Sequence, residues 1–176
     1  MGEAKVGEAF VTHEFDEAIA IHRAIVKAEE QLSKSHPAAE AKRVIKAELT
    51  KDQRFLRQLE KLGAQHGASG KVEEVAGSMQ QLMQETTEKA TEAASEAYEA
   101  HAVLLSLKRK QQDSATAMLK IARALKDTEM RDAAADFAKA TKAGAQELAD
   151  QLAAFAVTIA SPRTATRRPA RATASR

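Results

Sequence analysis

The chain has 176 residues, enough for one domain with its own core, and it is 44% hydrophobic and 30% charged, as ordinary soluble domains are. Its 39 alanines, single Tyr, absent Trp, three Pro and seven Gly leave few turn formers and few bulky β-branched runs, so an all-α fold is expected. The absence of Cys excludes disulfides and thiolate metal sites. No apolar run reaches the roughly 20 residues needed to span a bilayer, and Met1–Phe10 lacks the character of a signal segment. The expected location is the cytoplasm.

Residues 1–13 show no sustained period and are expected to form a flexible N-terminus, followed by a helical domain over 14–160. The first helix is predicted to start near Thr12 to Phe15 and to run to about Ser33. Its stripe at about 100° per residue is Val11, Phe15, Ala18, Ile19, Ile25, Val26 and Leu32. His22 and Glu29 fall inside that stripe. Ser35-His36-Pro37 is the hinge, with Ser35 as cap and Pro37 in the first turn of the second helix. That helix is predicted over Pro37 to about His66, on the stripe Ala41, Val44, Ile45, Leu49, Phe55, Leu56, Leu59 and Leu62. Glu48 and Asp52 lie within it, and Gly63, Gly67 and Gly70 mark its end.

A third, longest helix is expected from about Lys71 to Lys108, with a kink or restart at Gly77-Ser78 and an acidic run of Glu85, Glu88, Glu92, Glu96 and Glu99 facing solvent. Arg109 to Asp113 reads as a polar break, followed by a short extra helix from Ser114 to Lys126. The next stripe (Ala134, Phe137, Thr141, Gly144, Ala145, Leu148, Leu152, Phe155, Ile159) is about 150° out of phase with the one before. A new helix therefore starts at Asp127-Thr128-Glu129 and runs to about Ala160. Residues 161–176 are expected to be a disordered tail with five arginines and no acid. Without them, 22 basic and 25 acidic residues leave the body at −3.

Short connections between the first three helices favour antiparallel neighbours, and an antiparallel four-helix bundle is the expected fold. With the hinge centred between Ser35 and His36, residues whose numbers sum to about 71 lie at one level. His22 then faces Leu49 beside Glu48, Asp52 faces Ile19, and Glu29 lies one to two turns away. Reflection about Ser69 brings Thr86 and Ala90 to the same level. Buried carboxylates must be hydrogen-bonded, ion-paired, protonated or metal-bound. His22, Glu29, Glu48 and Asp52 are therefore a hard-metal site, or a structural network with His22 donating to Glu48 and Asp52 bonded to a nearby Lys or Thr, or groups at a bundle edge that reach water. His101 reads as a core or boundary residue, His66 as a partner of a helix C-terminus, and His13 and His36 as exposed.

These residues carry a resemblance to the ferritin-like superfamily. Lys27-Ala28-Glu29-Glu30-Gln31-Leu32 looks like the first-helix metal-glutamate segment of the stress-related members. Ala47 to Gln53, running on to Leu59-Glu60, is similar to their second helix, and Ser95 to Glu99 to their third. The resemblance spans roughly residues 15–160. It implies a ferritin-like bundle, a stress-response or storage role, and iron or another divalent metal as cofactor. No His has an acid three or four residues before it, so the Glu-x-x-His pair of di-iron members is missing and ferroxidase chemistry is not implied.

No catalytic residue is assigned, and a non-enzymatic protein is expected. The alternative function is an interaction or nucleoid-associated module. In that reading Arg163, Arg167, Arg168, Arg171 and Arg176 contact nucleic acid through counterion release, without base stacking. A granule-coating role similar to that of phasins is a third class, suggested by the Ala/Gln/Glu-rich third helix. Association into a homodimer through helix faces is the expected protein contact.

Overall fold

A computed structural model describes residues 3–71 and 93–161. The fold is all-α: four helices and, among the described residues, no strand. They are α1 (Glu3–Ser35), α2 (Ala39–Gln65), α3 (Ala93–Leu125) and α4 (Thr128–Ala160). None of the described helices is long and apolar enough to cross a membrane.

α1 begins at Glu3, about ten residues before the expected start near Thr12. Thr12 already holds it to the end of α2, its hydroxyl donating to the His66 carbonyl at 2.6 Å. The hinge also differs from expectation. Ser35 is not a cap, because its hydroxyl returns to the Gln31 carbonyl of its own helix. The N-cap of α2 is Ala38, without a side-chain cap; His36 Nδ1 accepts from the Ala38 backbone amide at 3.1 Å, and its ring is buried rather than exposed. His36, Pro37 and Ala38 stay outside both helices, which shifts the level of the hairpin. The facing pairs His22–Asp52, Lys34–Lys42 and Thr12–His66 have numbers that sum to 74, 76 and 78 rather than 71.

α3 is one helix through Arg109–Asp113, so the expected polar break and the separate short helix from Ser114 are not there. The polar residues in that stretch that misled are themselves on the buried face: Lys108, Gln111 and Ser114 continue the stripe from Leu104 to Ala115, Met118 and Ala122. The break at Asp127 is where the phase change placed it, and the Asp127 side chain accepts from the Met130 amide at 2.9 Å to cap α4. The expected third helix as far as residue 92, with the kink at Gly77-Ser78 and the acids Glu85, Glu88 and Glu92, lies outside the described residues.

Cross-helix contacts set the neighbours. α1 packs on α2 and α3, and α4 packs on α2 and α3. Along α1, His36 meets His101, Glu29 meets Lys108 and Glu17 meets Lys110. α2 ends beside Asp127, where α4 starts, whereas α3 begins beyond His101 at the His36 end. The chain thus leaves α2 at one end of the packed helices and enters α3 at the other. Lys108 reaches the level of His22; Thr86 and Ala90, expected there, lie outside the described residues.

Two apolar clusters fill the interior. One holds Phe15, Ile19, Phe55, Leu59, Met118, Met130 and Phe137, and the other Ile21, Ile25, Val44, Ile45, Leu104 and Leu148. Each fully buried large side chain contributes about 1.5–3 kcal/mol.

α2 and α3 end in the same backbone motif. After α2, Gly67 takes φ +78° while Ala68 N bonds Gly63 O and Gly67 N bonds Ala64 O; after α3, Lys126 takes φ 58° while Asp127 N bonds Ala122 O and Lys126 N bonds Arg123 O. A side chain in this left-handed conformation costs roughly 1–2 kcal/mol that glycine avoids. Replacement Lys126→Gly is therefore expected to raise the urea midpoint of unfolding, by about 1 kcal/mol in stability at unchanged m-value. A lower midpoint would show that Lys126 contributes more than its backbone.

Candidate functional site

Between the two apolar clusters lies a polar layer built from the four residues singled out in the hairpin and one that was not. Glu29 and His22 come from α1, Glu48 and Asp52 from α2, and Lys108 from α3; all five are buried to 3% exposure or less. The Lys108 ammonium sits among three carboxyl groups. It donates to Glu48 Oε2 at 3.1 Å and to Asp52 Oδ2, and lies 2.9 Å from Glu29 Oε1. Lys51, half exposed, reaches Glu48 Oε1 from the surface at 2.6 Å. Burial alone would push the Lys108 ammonium down, but the three carboxyl groups outweigh it and hold the lysine above its ordinary range.

His22 does not donate to Glu48, as one reading expected. Its Nε2 lies 2.9 Å from the Asp52 backbone carbonyl, which can only accept, so Nε2 carries the proton and Nδ1 is left without a partner. Burial lowers the His22 pKa and outweighs the attraction of Asp52, keeping the ring neutral. The ring edge packs on Phe137 with centroids 5.3 Å apart. Glu29 is the least satisfied of the acids, since neither oxygen has a hydrogen bond of acceptable geometry. Burial drives its pKa up to about 9; Lys108 opposes this, and Asp52 raises it further. Glu29 is therefore a protonated, neutral carboxyl group at pH 7.

α4 contributes space rather than a ligand. A Cβ on Gly144 would fall onto Glu48 Oε2 and within 2.9 Å of Glu48 Cδ, so the missing side chain is the notch that admits the carboxylate. Gln111 closes the layer from α3, its amide donating to the Ala18 carbonyl at 3.4 Å.

The four candidate ligands are thus brought together, Glu29 more closely than its level predicted. They do not fit a metal as they stand. The position that a cation would take among the carboxyl groups belongs to a fixed ammonium, one acid is protonated, and the imidazole faces a backbone carbonyl. Among the described residues no group of three or more His, Asp or Glu could hold an ion. Glu96 does not join the layer, and Arg163, Arg167, Arg168, Arg171 and Arg176 lie outside the described residues.

A second buried polar pair lies at the hinge end. His101 Nδ1 is 3.3 Å from His36 Nε2, and Phe155 packs on His36 with centroids 4.7 Å apart. Burial, then the neighbouring His36, pushes His101 down to about 4, so both rings are neutral in the fold. At the opposite end His66 caps α2, stacks on Phe15 and lies 3.6 Å from Asp127 Oδ2, while His13 is exposed. Compared with known proteins, the chain matches no family model, no curated protein and no solved structure.

Sequence reasoning missed Lys108, and two variants probe what surrounds it. Gly→Ala inside a helix ordinarily stabilises by up to about 1 kcal/mol. At Gly144 the sign is expected to reverse, with Gly144→Ala losing about 1–3 kcal/mol by displacing Glu48; a gain in thermal stability would refute the notch. Glu29 binds a proton on folding because its folded pKa, about 9, exceeds the ordinary 4.5. Its contribution is fully present below about pH 4.5 and is lost as the pH rises through 9. Glu29→Gln should match wild type below about pH 4.5 and exceed it by a margin that widens as the pH rises towards 9. Denaturant titrations across pH, with a slope of at most about 1.4 kcal/mol per unit, read the difference.

Proposed function

We propose that this chain is a non-enzymatic, ferritin-like antiparallel four-helix bundle whose metal site has been taken over by an internal ammonium. The observation that carries the reading is Lys108, seated among Glu29, Glu48 and Asp52 where a bundle of this kind would place a cation. The topology supports it as well. Among the described helices each has two neighbours, and partner numbers fall along one as they rise along the other, as in antiparallel bundles.

The degenerate-site form of a stress-response or storage role is favoured over the metal-binding form. A divalent ion would have to displace a lysine that three carboxyl groups hold protonated. It would also have to deprotonate Glu29. With its cation built into the chain, the layer serves to hold four helices in one register rather than to bind and release an ion.

Calorimetric titration with Fe(II), Mn(II) and Zn(II) tests this. Wild type and Glu48→Ala are expected to give identical, near-zero heats, whereas Lys108→Ala, which empties the position, should take up one ion per chain. Stoichiometric binding to wild type that Glu48→Ala abolishes would overturn the proposal.

A further inference from the structure

Against a body that carries more acid than base, one surface is basic throughout. The outer faces of α3 and α4 enclose an open groove of about 500 Å³, with Arg109 and Gln112 on one wall and Lys139, Lys142 and Gln146 on the other, over a floor of alanines. Among the described residues no acidic side chain lines it. Asp150, one turn beyond, is engaged by the Gln146 amide at 2.9 Å. Among the described residues the ion pairs of α3 and α4 use Lys108, Lys110, Glu129, Arg131 and, at the cap, Asp127, leaving the three cations of the groove uncommitted. Glu147 faces the other way, toward Arg43 and Lys51 on α2.

We infer that this groove binds the phosphate backbone of a nucleic acid. Two walls of cations with amides between them suit a line of phosphates, and the Arg109 fork can engage two oxygens of one phosphate. On α4 the groove runs from Lys139 to Ala149, about 15 Å at the helical rise, which is the length of about four phosphates on one strand of duplex DNA. A small phosphorylated metabolite would call for an enclosed pocket with convergent donors, and this groove is open along its length. Among the described residues no aromatic side chain lines it, so binding there gains nothing from base stacking and is indifferent to sequence. The site is separate from the arginine tail and independent of the metal question.

The test uses the full chain and a short mixed-sequence DNA duplex, with affinity followed by fluorescence anisotropy over a range of salt. The triple variant R109Q/K139Q/K142Q is compared with a charge-matched control, K27Q/K46Q/R57Q, also at exposed positions. All six side chains lie on the surface, and circular dichroism confirms that both variants fold. The groove variant is expected to bind at least tenfold more weakly, with its log–log salt slope reduced by between about two and three, while the control changes less than about twofold. Equal losses in the two variants, or wild-type binding that survives in the groove variant and disappears on removal of residues 161–176, would overturn the inference. So would a wild-type chain that does not bind the duplex at low salt.

Discussion

The ammonium of Lys108 is the constraint from which most of the interior follows. An ion removed from water loses several kcal/mol of solvation, and an unpaired carboxylate in the same place loses as much. Glu29, Glu48 and Asp52 on one hairpin and Lys108 on the other can be buried only together. Truncating Lys108, Glu48 or Asp52 leaves an uncompensated charge, whose cost of about 3–5 kcal/mol is a large fraction of the stability of a domain this size. The layer thereby locks α3 against α1 and α2. It also asks α4 to supply a residue with no side chain at 144, where Glu48 needs the volume.

The layer also separates two apolar clusters made largely of Ile, Leu, Val and Ala, with the phenylalanines concentrated on one side. Aliphatic surfaces of this kind specify register weakly, because one turn of sliding exchanges similar side chains. Sliding α3 by a turn would carry Lys108 out of reach of the three carboxyl groups and into Ile and Leu. An ion group of this type adds little net stability compared with a well-packed apolar layer. Its value lies in the penalty that it attaches to every other alignment, a role best attested for buried polar residues in coiled coils.

Much of this was legible in the residues, and the failures have a common physical origin. The stripes of the first two helices were read nearly residue by residue, including the four polar groups within them, because apolar neighbours three and four positions away defined the phase on both sides. The start of α4 was legible for the same reason, since two stripes 150° apart cannot share one helix. Lys108 was not, although Leu104, Lys108, Gln111, Ala115, Met118 and Ala122 keep helical spacing. A method that locates a helix face by its apolar residues loses the face where the core itself is polar, and the run from Lys108 to Ser114 was read as a break. His36 was placed outside because it lies in a hinge, although a hinge between two packed helices can be roofed by a third and a fourth, here through His101 and Phe155.

Charge balance sets the state of the polar layer. With Lys108 as the only buried cation among the described residues, three ionised carboxylates would leave two negative charges, more than a dry interior tolerates. The fold removes both without recruiting another buried cation. Lys51 lays its ammonium against Glu48 from the surface, and Glu29 keeps its proton. Two ammonium groups then face two carboxylates, and the layer is neutral. A layer that carried Lys108 with all three carboxyl groups ionised would bury a net negative charge, and the raised pKa of Glu29 relieves it.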